Sequence, residues 1–485
     1  MLLSTFSPSR FFARLCAVDF SNLRYWLLFA GGVAAFLAVA GCFRLFRRAV
    51  PDSVHKSFLV LIGLSALGYA SAETLIAFLF VCAAAYSSGA LVRRIETPRS
   101  RRIVLACAIP VLLLPLVWFK YRLFIAANLG INLANSLPLV LPVGISFYTF
   151  QAVGFLVDSA RNRTDFPALL DFLCFESFVP QIVAGPIERR SGLLPQMRSF
   201  RFRWRIADVS WGLRYIVLGL FFKLCLGDNL ALCHPADPHG NVFALWLRNV
   251  SFGLRIYFDF CGYGLSAYGL ARCLGVRLTQ NFAAPYSSAD ITDFWRRWHR
   301  SLTNWFRDYV YFPLGGSRTR FWAANLLFVF LLSGLWHGAS WNFVLWGGAN
   351  GLALVVHKLF SRRLGLRLPR PLARVLLLAF VFYAWMLFDR TSLPALLADH
   401  ALLFSPTSYT KDALLAFPRA FQDPFVLSCF LLPLACIVLL AEWLCVRRGR
   451  NPYAILLSLP ALCAEIFLIF QLDSGHANEF IYFAF

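Results

Sequence analysis

The sequence predicts an all-α polytopic membrane protein, with roughly twelve transmembrane helices, a re-entrant segment and an interfacial amphipathic helix. Three observations predict it. Charged residues make up only 14% of 485 positions, against about 25% in a soluble domain. Hydrophobic residues reach 59% and the mean hydropathy is +0.65. Apolar runs near the length that crosses a bilayer, about 20 residues, recur along the whole chain. A soluble enzyme, a disordered scaffold and a disulfide-stapled secreted domain are excluded. The thirteen cysteines form no CxxC pair and fall mostly in apolar runs, where Cys behaves as a small hydrophobe.

The net charge of +22 invites a nucleic-acid reading, but no water-soluble basic module is present, so no nucleic-acid partner is expected. Its distribution follows topology instead. Thirty-four of the 46 basic residues fall in seven stretches, 44–56, 93–102, 161–163, 189–205, 272–320, 358–374 and 447–450. Basic loops stay cytoplasmic, and placing these seven inside sets the parity of every element between them.

Residues 25–43 cross once, which puts the N-terminus outside. Ala38 and Ala40 mimic a cleavage site, but Arg44, Arg47 and Arg48 stop transfer and the run exceeds a signal core of about 7–15 residues. Residues 57–92 form a hairpin with Glu73 at the outer turn, and 103–119 with 138–157 form the next. Segment 170–187 has basic flanks on both sides and is interrupted by Glu176, Pro180, Gln181, Gly185 and Pro186. It is read as re-entrant, and broken backbone at membrane depth marks a cavity. Spans 209–233, 242–271, 322–340, 341–357, 372–389, 424–446 and 452–470 return the C-terminus outside. No fixed-period repeat or linker divides the chain, so 1–485 reads as one membrane domain with a cytoplasmic insertion at 272–321.

In that insertion Phe294, Trp298, Leu302, Trp305 and Tyr309 recur every three or four residues, one apolar face of a helix lying at the inner interface. Ser287 or Ser288 caps it, Asp293 pairs with Arg297 at i, i+4, and Pro313-Leu-Gly-Gly ends it. Arg296, Arg297, Arg300 and Arg307 lie largely off the apolar face. His299 sits beside Trp298, either as an interfacial aromatic neighbour or as a residue that holds substrate. His337 lies deep in an apolar pair of spans, where an ionisable group usually faces a cavity or bundle interior. It is 16 residues beyond Phe321, about 24 Å if fully helical, and kinks at Gly334 and Gly338 would make it shallower. Its bland alternative is a bond to a neighbouring carbonyl. Ser333, Gly334, Gly338, Ala339 and Ser340 give close packing or ligand room.

Lesser candidates are Cys233, His234, Asp237 and His239, which pack thiol, imidazole and carboxylate together without a second metal-spaced pair, so no metal is expected. Arg255 and Asp259 are expected to neutralise each other.

The blocks LPVGISFYTFQ (141–151), VPQIVAGPIER (179–189), YFDFCGYGLSAYGLARCLGV (257–276), NFAAPYSSADITDFWRRWHRSLTNWFRDYVYFPLGG (281–316) and SGLWHGASWNFVLWG (333–347) resemble the membrane-bound O-acyltransferase (MBOAT) superfamily. They look most like its alginate O-acetylase branch. Two departures stand out: Gly264-Leu265 where the branch commonly has Ser-Asp, and Ala484 where Gln is usual. The resemblance implies a ring of tilted, broken helices around a thin partition. It implies that His337 is the catalytic histidine and His299 the second motif histidine. The activity implied is acetyl transfer from a cytoplasmic thioester, acetyl-CoA or another, across the bacterial inner membrane for exopolysaccharide O-acetylation. A periplasmic esterase-like or polymer acetyltransferase partner completes it, with membrane lipid around the chain and no bound cofactor. Donor binding falls to Arg296, Arg297 and Arg300, whose guanidiniums suit phosphates, together with Trp298 and Asn304, and the cavity to Gln181, Trp336 and Asn342. His337 serves as base on the acceptor hydroxyl or as transient acyl carrier. The competing readings are D-alanyl transfer from a carrier protein to a cell-envelope polymer, a saccharide transporter, and a non-catalytic anchor in an export complex.

Overall fold

The computed structural model describes residues 23–132, 139–162, 165–183, 185–233, 240–363, 365, 368–390, 392–417 and 425–472. Among these the chain is helical, with no strand. Among the described residues seven helices are long and apolar enough to cross a membrane, and four more are apolar but shorter. The all-α polytopic expectation holds. The helices gather into two compact units, residues 1–213 with 267–279, and residues 214–266 with 280–483.

The first unit opens with α1 (Leu23–Leu45), followed by α2 (Asp52–Ala70) and α3 (Ala72–Arg94). Ser71 makes the expected hairpin turn just before Glu73: its hydroxyl accepts the Thr74 N–H at 3.0 Å and so caps α3. The helix α4 (Pro98–Leu116) starts behind a Thr97 cap. Expected to stop near 119, it continues through a π-turn at Val117–Tyr121 to Asn128. Pro115 removes one ladder N–H just before that turn, a common local cause of such wider turns.

Helix α5 (Ile145–Arg161) begins only after Gly144, later than the expected 138. Gly144 has φ +74, and a Cβ there would lie 2.3 Å from the Ile182 carbonyl oxygen, so only glycine fits. The segment expected to be re-entrant is broken, as α6 (Leu169–Glu176) and one turn at Val179–Ile182. The Phe175 carbonyl, freed by the break, accepts side-chain amide N–H groups from Gln151 at 2.9 Å and Gln181 at 2.8 Å. Gln181 is therefore buried and bonded beside a chain break. Helix α7 (Arg190–Arg198) follows.

Helices α8 (Ile206–Leu220) and α9 (Val242–Cys273) supply residues to both units. The second unit then adds α10 (Ile291–Arg297), α11 (Arg300–Phe306), α12 (Trp322–His337), α13 (Trp341–Lys358), α14 (Arg370–Asp389), α15 (Leu393–Phe404), α16 (Phe425–Arg447) and α17 (Leu459–Leu472). The last of these corrects the span expected over 452–470. Residues 452–457 are turns, started by Asn451, whose Oδ1 accepts the Tyr453 N–H at 2.9 Å, and Pro460 opens the helix.

The α12–α13 hairpin is packed backbone against backbone. A Cβ on Gly334 would lie 2.2 Å from the Phe343 carbonyl oxygen, and one on Gly347 would lie 2.2 Å from that of Phe330. Small residues let helices approach this closely in lipid. Gly347→Ala is expected to destabilise the protein by about 1–3 kcal/mol through overpacking. Gly264→Ala, which would meet nothing within 4 Å, is the control in a detergent melting experiment. Equal melting temperatures would remove the close-packing account.

Candidate active site

The expected single amphipathic helix over 291–309 is two helices. Its first half starts at Asp290 rather than at Ser287 or Ser288, since the Asp290 carboxylate accepts the Asp293 N–H at 2.9 Å. A carboxylate at that end also suits the helix dipole. Trp298 ends α10 in an extended conformation, and His299 takes φ 41, ψ 54. That left-handed backbone costs a non-glycine residue about 1–2 kcal/mol, so something must hold it.

The holder is the strap 281–284, which itself turns through a left-handed Ala284. The Arg300 N–H donates to the Asn281 carbonyl at 2.9 Å, and the Ser301 N–H to Asn281 Oδ1 at 3.3 Å. The Ala283 N–H donates to the Arg297 carbonyl at 3.1 Å, and Arg297 Nη1 returns a bond to the Ala283 carbonyl at 3.2 Å. These bonds take up backbone groups that the break would otherwise orphan. Tyrosine hydroxyls pin the strap in turn: Tyr453 donates to the Phe282 carbonyl at 3.2 Å, and Tyr286 to that of Gly253 at 2.6 Å.

The break separates two neighbours in sequence. Trp298 is stacked on Phe294 at 5.6 Å and packed on Trp385 at 5.0 Å, a fully buried core residue. His299 is 1% exposed and lies edge-on to Phe260 at 4.8 Å and to Trp336 at 6.0 Å. Burial pushes its imidazole down to about 3, so it is neutral throughout the physiological range.

His337 is the last residue of α12. The helix runs unbroken through Gly334, and the bend expected there falls at extended Gly338. Sixteen helical residues keep the length near about 24 Å. The His337 ring is 3% exposed and lies 5.0 Å from Trp336, 5.1 Å from Trp346 and 5.6 Å from Phe388. Trp336 thus contacts both imidazoles. Asn342 is buried in the first turn of α13, where its Nδ2 donates to the Phe388 carbonyl at 3.4 Å. The structure therefore brings His299, Trp336, His337 and Asn342 together in one unit, while Gln181 belongs to the other.

The arginines divide. Arg297 bonds Asp293 at 2.9 Å, the expected pair. Arg307 bonds Asp308 at 2.7 Å. Arg300 and Asn304 are half-buried on α11, and Arg296 is exposed. Arg296 lines a polar cleft of about 150 Å³ with Asp290, Asp293, His357 and Lys358.

Residues 116–394 match the family model described as MBOAT, membrane-bound O-acyltransferase family, more than half of the chain and including both histidines. The chain belongs to the membrane-bound O-acyltransferase family. It is 33% identical over 320 residues to the peptidoglycan O-acetyltransferase of Helicobacter pylori, covering 58% of this chain and 60% of that one. It is 35% identical over 323 residues to the probable alginate O-acetylase of Azotobacter vinelandii, covering 61% and 62%. A more distant relative is the teichoic acid D-alanyltransferase of Streptococcus thermophilus, 29% identical over 239 residues and covering 46% and 58%. The chain spans about 60% of the length of the curated relatives it matches.

Within this MBOAT chain Lys223, Asp228, Tyr257 and Glu442 escaped the sequence reading. Asp259 is neutralised by Lys223, at 2.5 Å, which also bonds Asp228 at 2.9 Å, in place of the expected Arg255. Glu442 accepts the Tyr257 hydroxyl at 2.6 Å, and Tyr257 is packed on Trp298 and Phe282. Lone ionisable residues in apolar runs were the available signal, but their partners lie in distant segments. Cys233 is buried, while His234, Asp237 and His239 lie outside the described residues. Among those described, no three His, Cys, Asp or Glu side chains group as metal ligands.

Proposed function

We propose that this MBOAT protein is an O-acetyltransferase of the bacterial inner membrane. It takes an acetyl group from a cytoplasmic thioester, acetyl-CoA, and serves exopolysaccharide O-acetylation through a periplasmic partner, with both termini periplasmic. The observation that carries this reading is the pair of buried imidazoles, His299 and His337, touching one indole in a dry aromatic setting. The O-acetyl activities in the names of two relatives support the acetyl group.

In this reading His337 takes the proton of the acceptor hydroxyl as its oxygen attacks the thioester carbonyl carbon. Neutral His299 polarises the carbonyl by donating an N–H. Collapse of the tetrahedral adduct expels the thiolate, which recovers the proton from His337 and leaves as thiol. Exposed Arg296 and half-buried Arg300 meet the donor's phosphates, and Asn304 lines their approach. Surrounding aromatics keep water from competing with the acceptor.

The similarity to a D-alanyltransferase favours one second reading, a carrier-protein thioester as donor. Proteoliposomes holding the purified chain are to be given labelled acetyl-CoA or a labelled D-alanyl carrier protein. Label leaving acetyl-CoA for acceptor or water is the expected result. Turnover with the carrier alone would replace the donor assignment.

A further inference from the structure

We propose that Asn281 is a catalytic residue, donating its Nδ2–H to the carbonyl oxygen of the acyl group held beside His299. The inference rests on the acyl-transfer reading above and deepens it. Asn281 is 3% exposed. Its amide orientation is set by chemistry, because Oδ1 accepts the Ser301 N–H at 3.3 Å and a backbone donor cannot face the NH₂ side. Its main-chain carbonyl accepts the next donor, Arg300 N–H, at 2.9 Å. The acceptor side of Asn281 is therefore committed to the break that presents His299.

Its donor side is different. Nδ2 is buried and has no hydrogen-bond partner among the described residues. A buried amide donor left without a partner is costly, and such groups mark a place where something else bonds. Phe282, next to it in the chain, packs its ring on Phe260 and Trp298, and none of these three side chains carries an acceptor oxygen. What satisfies an uncharged N–H in such a setting is an uncharged or developing acceptor oxygen, and a thioester carbonyl supplies one. As the hydroxyl oxygen bonds the carbonyl carbon, the C=O pair moves onto that oxygen. Asn281 N–H then joins the His299 N–H in stabilising the oxyanion, until the pair returns and the C–S bond breaks. Neither residue gains or loses a proton overall. Two fixed donors in a dry site are the usual requirement for this stabilisation.

Asn281→Asp keeps an acceptor for Ser301 while removing the amide donor, and Asn281→Leu removes both at similar size. Each is measured for melting, for kcat and KM with acetyl-CoA, and for the infrared carbonyl stretch of bound ¹³C-acetyl-CoA in a His337→Ala background. The expected result for Asn281→Leu is a kcat lowered about 10²-fold with KM nearly unchanged, and a carbonyl band moved to higher frequency. Asn281→Asp is expected to lose kcat at pH 8, measured well below its melting temperature, which should fall because a carboxylate is costly to bury. A purely bracing role predicts instead that Asn281→Asp retains kcat, or that the carbonyl band does not move, and either would overturn the proposal. If the wild-type protein turns over no thioester, the acyl-transfer reading itself fails. Normal wild-type turnover with unaltered variants sinks the Asn281 assignment alone.

Discussion

Replacing His337 with alanine is expected to lower acetyl transfer about 10²–10⁴-fold, the contribution of a positioned proton-transfer group. The chain should remain folded, because His337 is the last residue of α12 and alanine is tolerated there. Proteoliposome assays with labelled acetyl-CoA measure the rate, and melting confirms the fold. Equal rates in wild type and variant would remove His337 from the chemistry. Saccharide flux surviving the substitution would instead favour a transporter. His299, pushed by burial down to about 3, contributes no inflection between pH 5 and 9. The same burial has a stability consequence. Between an unfolded value near 6.5 and about 3, the unfolded chain binds a proton that the folded imidazole refuses. Stability is therefore lost as the pH falls through that window.

Lys223→Ala is expected to cost about 3–5 kcal/mol, the effect of removing one partner from a buried ionic cluster. Lys223 bonds Asp228 at 2.9 Å and Asp259 at 2.5 Å, and all three side chains are at most 6% exposed. Without the ammonium, two carboxylates remain in a low-dielectric setting and repel one another. The triple variant Lys223→Met, Asp228→Asn, Asp259→Asn removes every charge together, so it should recover most of the loss. That recovery distinguishes an uncompensated charge from lost packing. A melting temperature unmoved by Lys223→Ala would contradict the burial of this cluster.

Local pattern made part of this molecule legible. Hydropathy and charge determined the all-α membrane class, the outer turn near Glu73, the break in segment 170–187 and the two histidines worth testing. Each follows from a property of neighbouring residues: apolar length, a carboxylate within an apolar run, proline within a short run, or an imidazole in an apolar setting. The periodicity of 291–309 misled for the same reason. Phe294, Trp298 and Leu302 do face an apolar core, but the spacing is equally satisfied by two helices with one residue between them. Bonds from a strap nearly twenty residues earlier decide that His299 is left-handed. Sequence periodicity cannot register such a donor.

The partner of Asp259 illustrates the limit again. Arg255 lies at the right helical spacing, yet the cation that reaches Asp259 is Lys223, on another helix. The sequence by itself determined which chemical groups this membrane protein carries and which faces must avoid water. Only the tertiary structure decided which groups meet, that Trp336 lies against both His299 and His337 and that Asn281 braces one of them. The physical reason is range. Propensity and hydropathy act over a few residues, whereas hydrogen bonds and ring contacts join any segments that folding brings together.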